Sequence, residues 1–146
     1  MTRSYHSTIV ARPAEVVWAT IRDFNGLATW FSEAVSESHI EDGLTGTTVG
    51  AVRSFQLGDS RIREQLMALD DIERSFAYGF CDPAPFPVTD YVARVQVTPV
   101  ADSGASLVEW WVDFECHPSE RDQWREFFAA QVFSPALEGL RSYLQA

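Results

Sequence analysis

The chain has 146 residues, 46% of them hydrophobic and 22% charged, the composition of one globular domain large enough to bury a core. Eleven basic residues against 21 acidic ones leave a formal charge of −10, a field that repels phosphate backbones and anionic membrane surfaces, so neither nucleic acid nor membrane is expected as a partner. No long apolar segment follows Arg3, and two cysteines, Cys81 and Cys116, are too few for a disulfide framework, so the expectation is a cytoplasmic protein with free thiols.

The first element is a strand at residues 4–11, rich in β-formers. "RPAEVVWATIRDF" then predicts a helix, with Pro13 suited to its first turn, Glu15 at the positive end of the dipole, and Val16, Val17, Ala19, Thr20 and Phe24 as its apolar stripe. "NGLATWFS" predicts a second short helix after the break at Asn25-Gly26. From residue 33 to 117 the pattern changes to six strands: "EAVSESHIEDG", "VGAVRSFQL", "RIREQLMALDD", "RSFAYGF", "VTDYVARVQVTPV" and "ASLVEWWVDFEC". Short turns at Asp42-Gly43, Gly58-Asp59, Asp70-Asp71 and Ser103-Gly104 make successive strands antiparallel. The last segment, residues 119–144, predicts a long helix with a capping box at Ser119 and Asp122, an apolar face of Trp124, Phe127, Phe128, Val132 and Phe133, and a kink at Pro135. The fold class is therefore α+β, a curled antiparallel sheet with one long helix available to close it.

One strand carries a puzzle. In "RIREQLMALD" a period of two puts Ile62, Glu64, Leu66 and Ala68 on one face, opposite Arg61, Arg63 and Gln65. A lone ionised carboxylate among apolar neighbours costs several kcal/mol unless it is paired or wet. In "VGAVRSFQL" Arg53 is in phase with Phe55 and Leu57, so Arg53 is the candidate partner of Glu64. The pair is either a structural ion pair in a dry core or part of a cavity wall. Tyr78 shares its inward face with Phe76 and Phe80, Tyr91 with Ala93, Val95 and Val97, and Trp110 with Val108, Val112 and Phe114. A buried Tyr hydroxyl needs a partner, and a ligand, a water or Glu64 would serve.

Other constellations carry less. His6, His39 and His117 are too scattered for a metal site, so no metal and no cofactor are expected. "GLTGTTVG" lacks the lysine of a phosphate loop, Cys116 and His117 point to opposite faces of a strand, and "DDIER" reads as a solvated turn.

The order of elements resembles the START-like helix-grip superfamily (the birch-pollen-allergen-like, or SRPBCC, proteins), in particular its polyketide cyclase/dehydrase branch. The residues that carry the resemblance are "RPAEVVWATIRDFNGLATW", "VGAVRSFQL", "REQLMALDDIERSFAYGF", "TDYVARVQVTPV" and the W…F of "EWWVDF". The resemblance spans nearly the whole chain, as a single domain of residues 1–146. It implies about seven strands wrapped around the C-terminal helix, with two short helices after the first strand. It also implies that Arg53, Glu64, Tyr78 and Tyr91 face the pocket as catalytic groups. Phe55, Leu57, Phe86, Trp110, Phe128, Val132 and Ala136 would contact the ligand, with "QLGDS" and "CDPAPFPVT" at the entrance. The function implied is a metal- and cofactor-independent cyclase or dehydratase acting on a small aromatic or polyketide-like molecule, as a monomer or homodimer. In that chemistry Glu64 moves a proton while Arg53 or a tyrosine stabilises an enolate-like oxygen. The other function open to the same cavity is non-catalytic binding or transport of a small molecule or lipid. The cavity expected is several hundred Å³, the usual range for small-molecule sites.

Overall fold

A computed structural model describes residues 1–146. Strand β1 (Thr2–Val10) leads into helix α1 (Ala14–Ile21), a 3-10 turn (Phe24–Gly26) and the single-turn helix α2 (Leu27–Trp30). Strands β2 (Val35–Ile40), β3 (Val52–Leu57), β4 (Ser60–Asp70), β5 (Ser75–Phe80), β6 (Thr89–Pro99) and β7 (Ser106–Glu115) follow. The seven form one antiparallel sheet in the order β1-β7-β6-β5-β4-β3-β2, a meander whose first strand returns to pair with the last. The long C-terminal helix lies on the concave face and buries Phe128, Phe133, Ala136, Leu137 and Leu140 against it. This is the expected helix-grip fold: the sheet's twist leaves a hollow that only this helix is long enough to cover.

Four local expectations are corrected. The stripe of α1 is Ala14, Val17, Trp18 and Ile21, and Ala19 faces solvent. "DDIER" is the solvated turn expected, and its Asp71 ties it to α1: Trp18 Nε1 donates to that carboxylate at 2.8 Å and Arg22 grips it through two bonds of 3.0 Å. Ala68 is exposed because the register with β5 shifts between Leu66 and Ala68; a bulged strand changes phase, and Leu69 takes the position opposite Phe76. At the start of the long helix the cap is His117, whose Nδ1 accepts from Ser119 N at 3.2 Å, while Asp122 pairs with Arg125 at 2.7 Å.

The fourth correction concerns Pro135. Helix α3 (Arg121–Glu126) passes through a π-helical stretch (Phe127–Phe133) into α4 (Ser134–Gln145), whose first turn contains the proline. A proline has no N–H for the i−4 carbonyl and its ring crowds it. The irregularity is therefore taken up in the preceding turn as a widened stretch, at the point where the helix crosses the hollow.

Candidate functional site

The strand register answers the question raised by Glu64. Arg53 on β3 stands directly opposite Glu64 on β4, both side chains on the concave face. Arg53 Nε donates to Glu64 Oε1 at 2.8 Å, Nη2 lies 2.7 Å from the same oxygen, and Nη1 donates to the Phe24 carbonyl at 3.0 Å. The guanidinium also stacks 3.8 Å from the Phe24 ring centroid and 4.8 Å from that of Tyr78. Arg53 is 3% exposed and Glu64 5%, so this pair is inside the protein. The 3-10 turn that supplies the Phe24 carbonyl is held by Asp23, whose side chain accepts from Asn25 N, and by Phe24 N donating to Gly46 O.

The Arg53 hydrogen bond and the short Nη2 contact both fall on Oε1, and Oε2 accepts no hydrogen bond from the protein. Burial holds the Glu64 carboxyl above its ordinary range, and the Arg53 charge offsets part of that rise. Next to it, Tyr78 is fully enclosed and its hydroxyl accepts from Trp110 Nε1 at 3.0 Å. The Tyr91 hydroxyl neighbours that of Tyr78. Burial first, then negative neighbours, push both phenols far above their usual range, with Arg53 offsetting a part, so both stay protonated.

An aromatic shell encloses these groups. Tyr91 stacks on Phe80 at 4.0 Å and Trp110 on Phe133 at 4.9 Å. Phe86, from the loop between β5 and β6, inserts among Phe80, Phe127, Phe128 and Trp124 with centroids 5.1–5.9 Å apart. What remains is a cavity of about 90 Å³ between sheet and helix. That is well below the several hundred Å³ expected, because the rings interdigitate over most of the hollow.

Every candidate residue lies against this one cavity: Arg53, Glu64, Tyr78 and Tyr91 at its polar end, and Phe55, Leu57, Phe86, Trp110, Phe128, Val132 and Ala136 around it. Sequence reasoning missed Leu27, Phe31, Ala34 and Val35, which the α2–β2 connection brings to the wall, and Gln131 from the π-helical stretch. Gln131 both lines the cavity and is exposed to solvent. The expected entrance loops contribute only Leu57 and Phe86 to the wall. The signal for Gln131 was its place one residue before Val132 on the helix, but a glutamine on a helix reads as surface. Wider grooves of up to 590 Å³ lie on the outer surface, but only this cavity joins buried titratable groups.

Comparison with the curated proteins returns no match. Among solved structures, a protein from Thermobifida fusca is 30% identical with a TM-score of 0.87, the alignment covering 99% of this chain and 95% of that one. A protein from Bacillus thuringiensis is 28% identical with a TM-score of 0.85, covering 99% and 100%. Norcoclaurine synthase from Thalictrum flavum, solved with dopamine and hydroxybenzaldehyde, shares the fold at 12% identity, TM-score 0.79, covering 99% and 86%. The profile of the family described as polyketide cyclase / dehydrase and lipid transport matches residues 1–145, and the chain belongs to that family.

Proposed function

We propose that this protein binds a small apolar carbonyl compound in the cavity and moves one of its protons, as a cyclase or dehydratase that uses neither metal nor organic cofactor. The observation that carries this reading is a carboxylate on an apolar wall with one oxygen fixed by Arg53 and the other free of protein donors. Cyclisation by carbon–carbon bond formation and loss of water from a β-hydroxy ketone both begin by removing a proton beside a carbonyl. Glu64 Oε2 takes that proton, the C–H electron pair becomes the C=C bond of an enolate, and the charge develops on the former carbonyl oxygen. Arg53 acts through Glu64: its short contacts go to Oε1 and to the Phe24 carbonyl, so it favours the ionised carboxylate and fixes its direction. A cavity of about 90 Å³ favours a small ring over a fused-ring polyketide.

The test uses cyclopentanone in heavy water, with exchange of its α-protons followed by NMR. Wild-type protein is expected to accelerate exchange over buffer. Glu64→Gln is expected to remove the acceleration while leaving cyclopentanone affinity within about tenfold. Binding without exchange in the wild type favours the carrier function. Exchange by Glu64→Gln at the wild-type rate overturns Glu64 as the base.

A further inference from the structure

Trp110 and Tyr78 form the one hydrogen bond between side chains in the cavity wall other than the Arg53–Glu64 pair. An indole N–H has no acceptor capacity, so in the bond from Trp110 Nε1 to Tyr78 Oη the direction is fixed. The tyrosine oxygen is the acceptor, and its own proton must be directed elsewhere. No protein acceptor takes it in a bond of full geometry: Glu64 Oε1 is engaged by Arg53, Glu64 Oε2 accepts no hydrogen bond from the protein, and the neighbouring Tyr91 hydroxyl forms no such bond with it. Tyr78 is 2% exposed and lines the cavity, so its hydroxyl is a buried donor that lacks an acceptor in the fold. Donation from Trp110 polarises the O–H bond and strengthens it as a donor. The indole is itself held in place, stacked on Phe133 at 4.9 Å and edge-on to Trp30 at 6.2 Å.

We infer that Trp110 is a positioning residue that commits Tyr78 to donating into the cavity, so that the group recognised there is the carbonyl oxygen of the ligand and Tyr78, rather than Tyr91 or Arg53, holds it. The geometry adds a reason for the side on which Glu64 works. Glu64 stands opposite Phe80, and Tyr78 opposite Leu66, on paired strands, so the two side chains are diagonal neighbours on one face. A carbonyl oxygen on Tyr78 brings the carbon beside it toward Glu64. The inference rests on the proton-transfer reading for its ligand class but not for its outcome, since binding alone tests it.

The experiment compares cyclopentanone with methylenecyclopentane, which has the same shape but a CH2 group in place of oxygen. The ketone, carrying a ¹³C-labelled carbonyl, is also examined by difference infrared spectroscopy. The ketone is expected to bind about tenfold more tightly, the scale of one net hydrogen bond, and its carbonyl stretch is expected to fall in frequency on binding. Tyr78→Phe should abolish both the preference and the frequency shift, whereas Tyr91→Phe should keep both. Trp110→Phe should keep ketone binding but give a smaller, broader shift, because the Tyr78 hydroxyl then rotates freely. A readout in the wild type covers the case in which that variant fails to fold. The Trp110 indole N–H resonance should move on binding ketone and stay in place with the alkene, while that of Trp18, bound to Asp71, stays in place with either. Equal affinity for ketone and alkene overturns the inference and leaves small-ligand binding intact. So does a frequency shift that survives Tyr78→Phe or disappears in Tyr91→Phe. If neither compound binds, the inference and the proposed function fall together.

Discussion

The protein builds the same chemical pair twice, once inside and once outside the sheet, and the two behave in opposite ways. On the concave side Arg53 and Glu64 face each other across β3 and β4. On the convex side Arg3 and Asp113 face each other across β1 and β7, joined by two bonds of 2.8 Å, with Arg94 3.6 Å away. Both pairs are cross-strand arginine–carboxylate contacts of nearly equal length. Yet burial holds Glu64 above its ordinary value of 4.5, whereas the Arg3 hydrogen bond holds Asp113 below its ordinary 3.8. The difference is solvent: the Arg3 side chain is 61% exposed and that of Arg53 3%. Water supplies the outer pair with screening and hydration, so it contributes modestly to stability. The inner pair gives up hydration on both sides and keeps a carboxylate whose proton affinity is set by the fold.

The largest break in this comparison comes from removing one inner partner. Arg53→Ala leaves Glu64 buried without a counter-charge and opens the stack between Phe24 and Tyr78, and the expected loss of stability is about 3–5 kcal/mol in chemical denaturation at neutral pH. The loss should shrink in acid, because a protonated Glu64 no longer needs the cation. The double replacement of Arg53→Met and Glu64→Leu should recover most of the stability while abolishing proton exchange on cyclopentanone. If Arg53→Ala costs no more than the matching change at Arg3, the two pairs are equivalent and burial has been given too much weight.

How far these features could be read from the sequence depended on which period they obeyed. The facing of Arg53 and Glu64 was legible because alternation by two survives in β3 and in the first half of β4. Beyond Leu66 the bulge breaks that alternation, and Ala68 was misassigned for that reason. The proline at 135 announced a disturbance in the long helix, but helical periodicity carries no mark of where a π-helical turn will absorb it, so Gln131 stayed hidden. The aromatic walls were legible as residues but their volume was not. Whether Phe86 fills the hollow or leaves it depends on side-chain rotamers that a composition of 10 Phe and 5 Trp does not encode.

Glu64→Gln sharpens the comparison with a smaller change. The amide oxygen still accepts from Arg53, so the expected cost at neutral pH is about 1–3 kcal/mol, from a buried arginine that has lost its counter-charge. The pH dependence separates this residue from its outer counterpart. Because the folded-state pKa of Glu64 is raised, the native protein binds its proton more tightly than the unfolded chain does. That contribution is complete below the ordinary 4.5 and is lost as the pH climbs through the raised value. The falling slope above about pH 4.5 should be absent in Glu64→Gln, and α-proton exchange by the wild type should rise with pH over the same interval as the carboxylate forms.

The smallest effect belongs to Asp113→Asn, and its sign is the reverse. The folded-state pKa of Asp113 is lowered, first by the hydrogen bond from Arg3, so the unfolded chain binds the proton more tightly. Its contribution is complete above the ordinary 3.8 and disappears as the pH falls through the lowered value. Because Arg3 is mostly exposed, screening limits the cost of Asp113→Asn to about 0.5–1 kcal/mol near neutrality. That cost should weaken further in high salt and vanish in strong acid. Cyclopentanone affinity and exchange should not change, since Asp113 lies on the face away from the cavity and is absent from its wall. Urea titrations of wild type, Glu64→Gln and Asp113→Asn between pH 2 and 8 would set the two slopes side by side. A loss in Asp113→Asn that persists in strong acid would mean that the carboxylate acts there through packing instead of charge. The contrast between a solvent-supported pair and a fold-supported one would then reduce to burial alone.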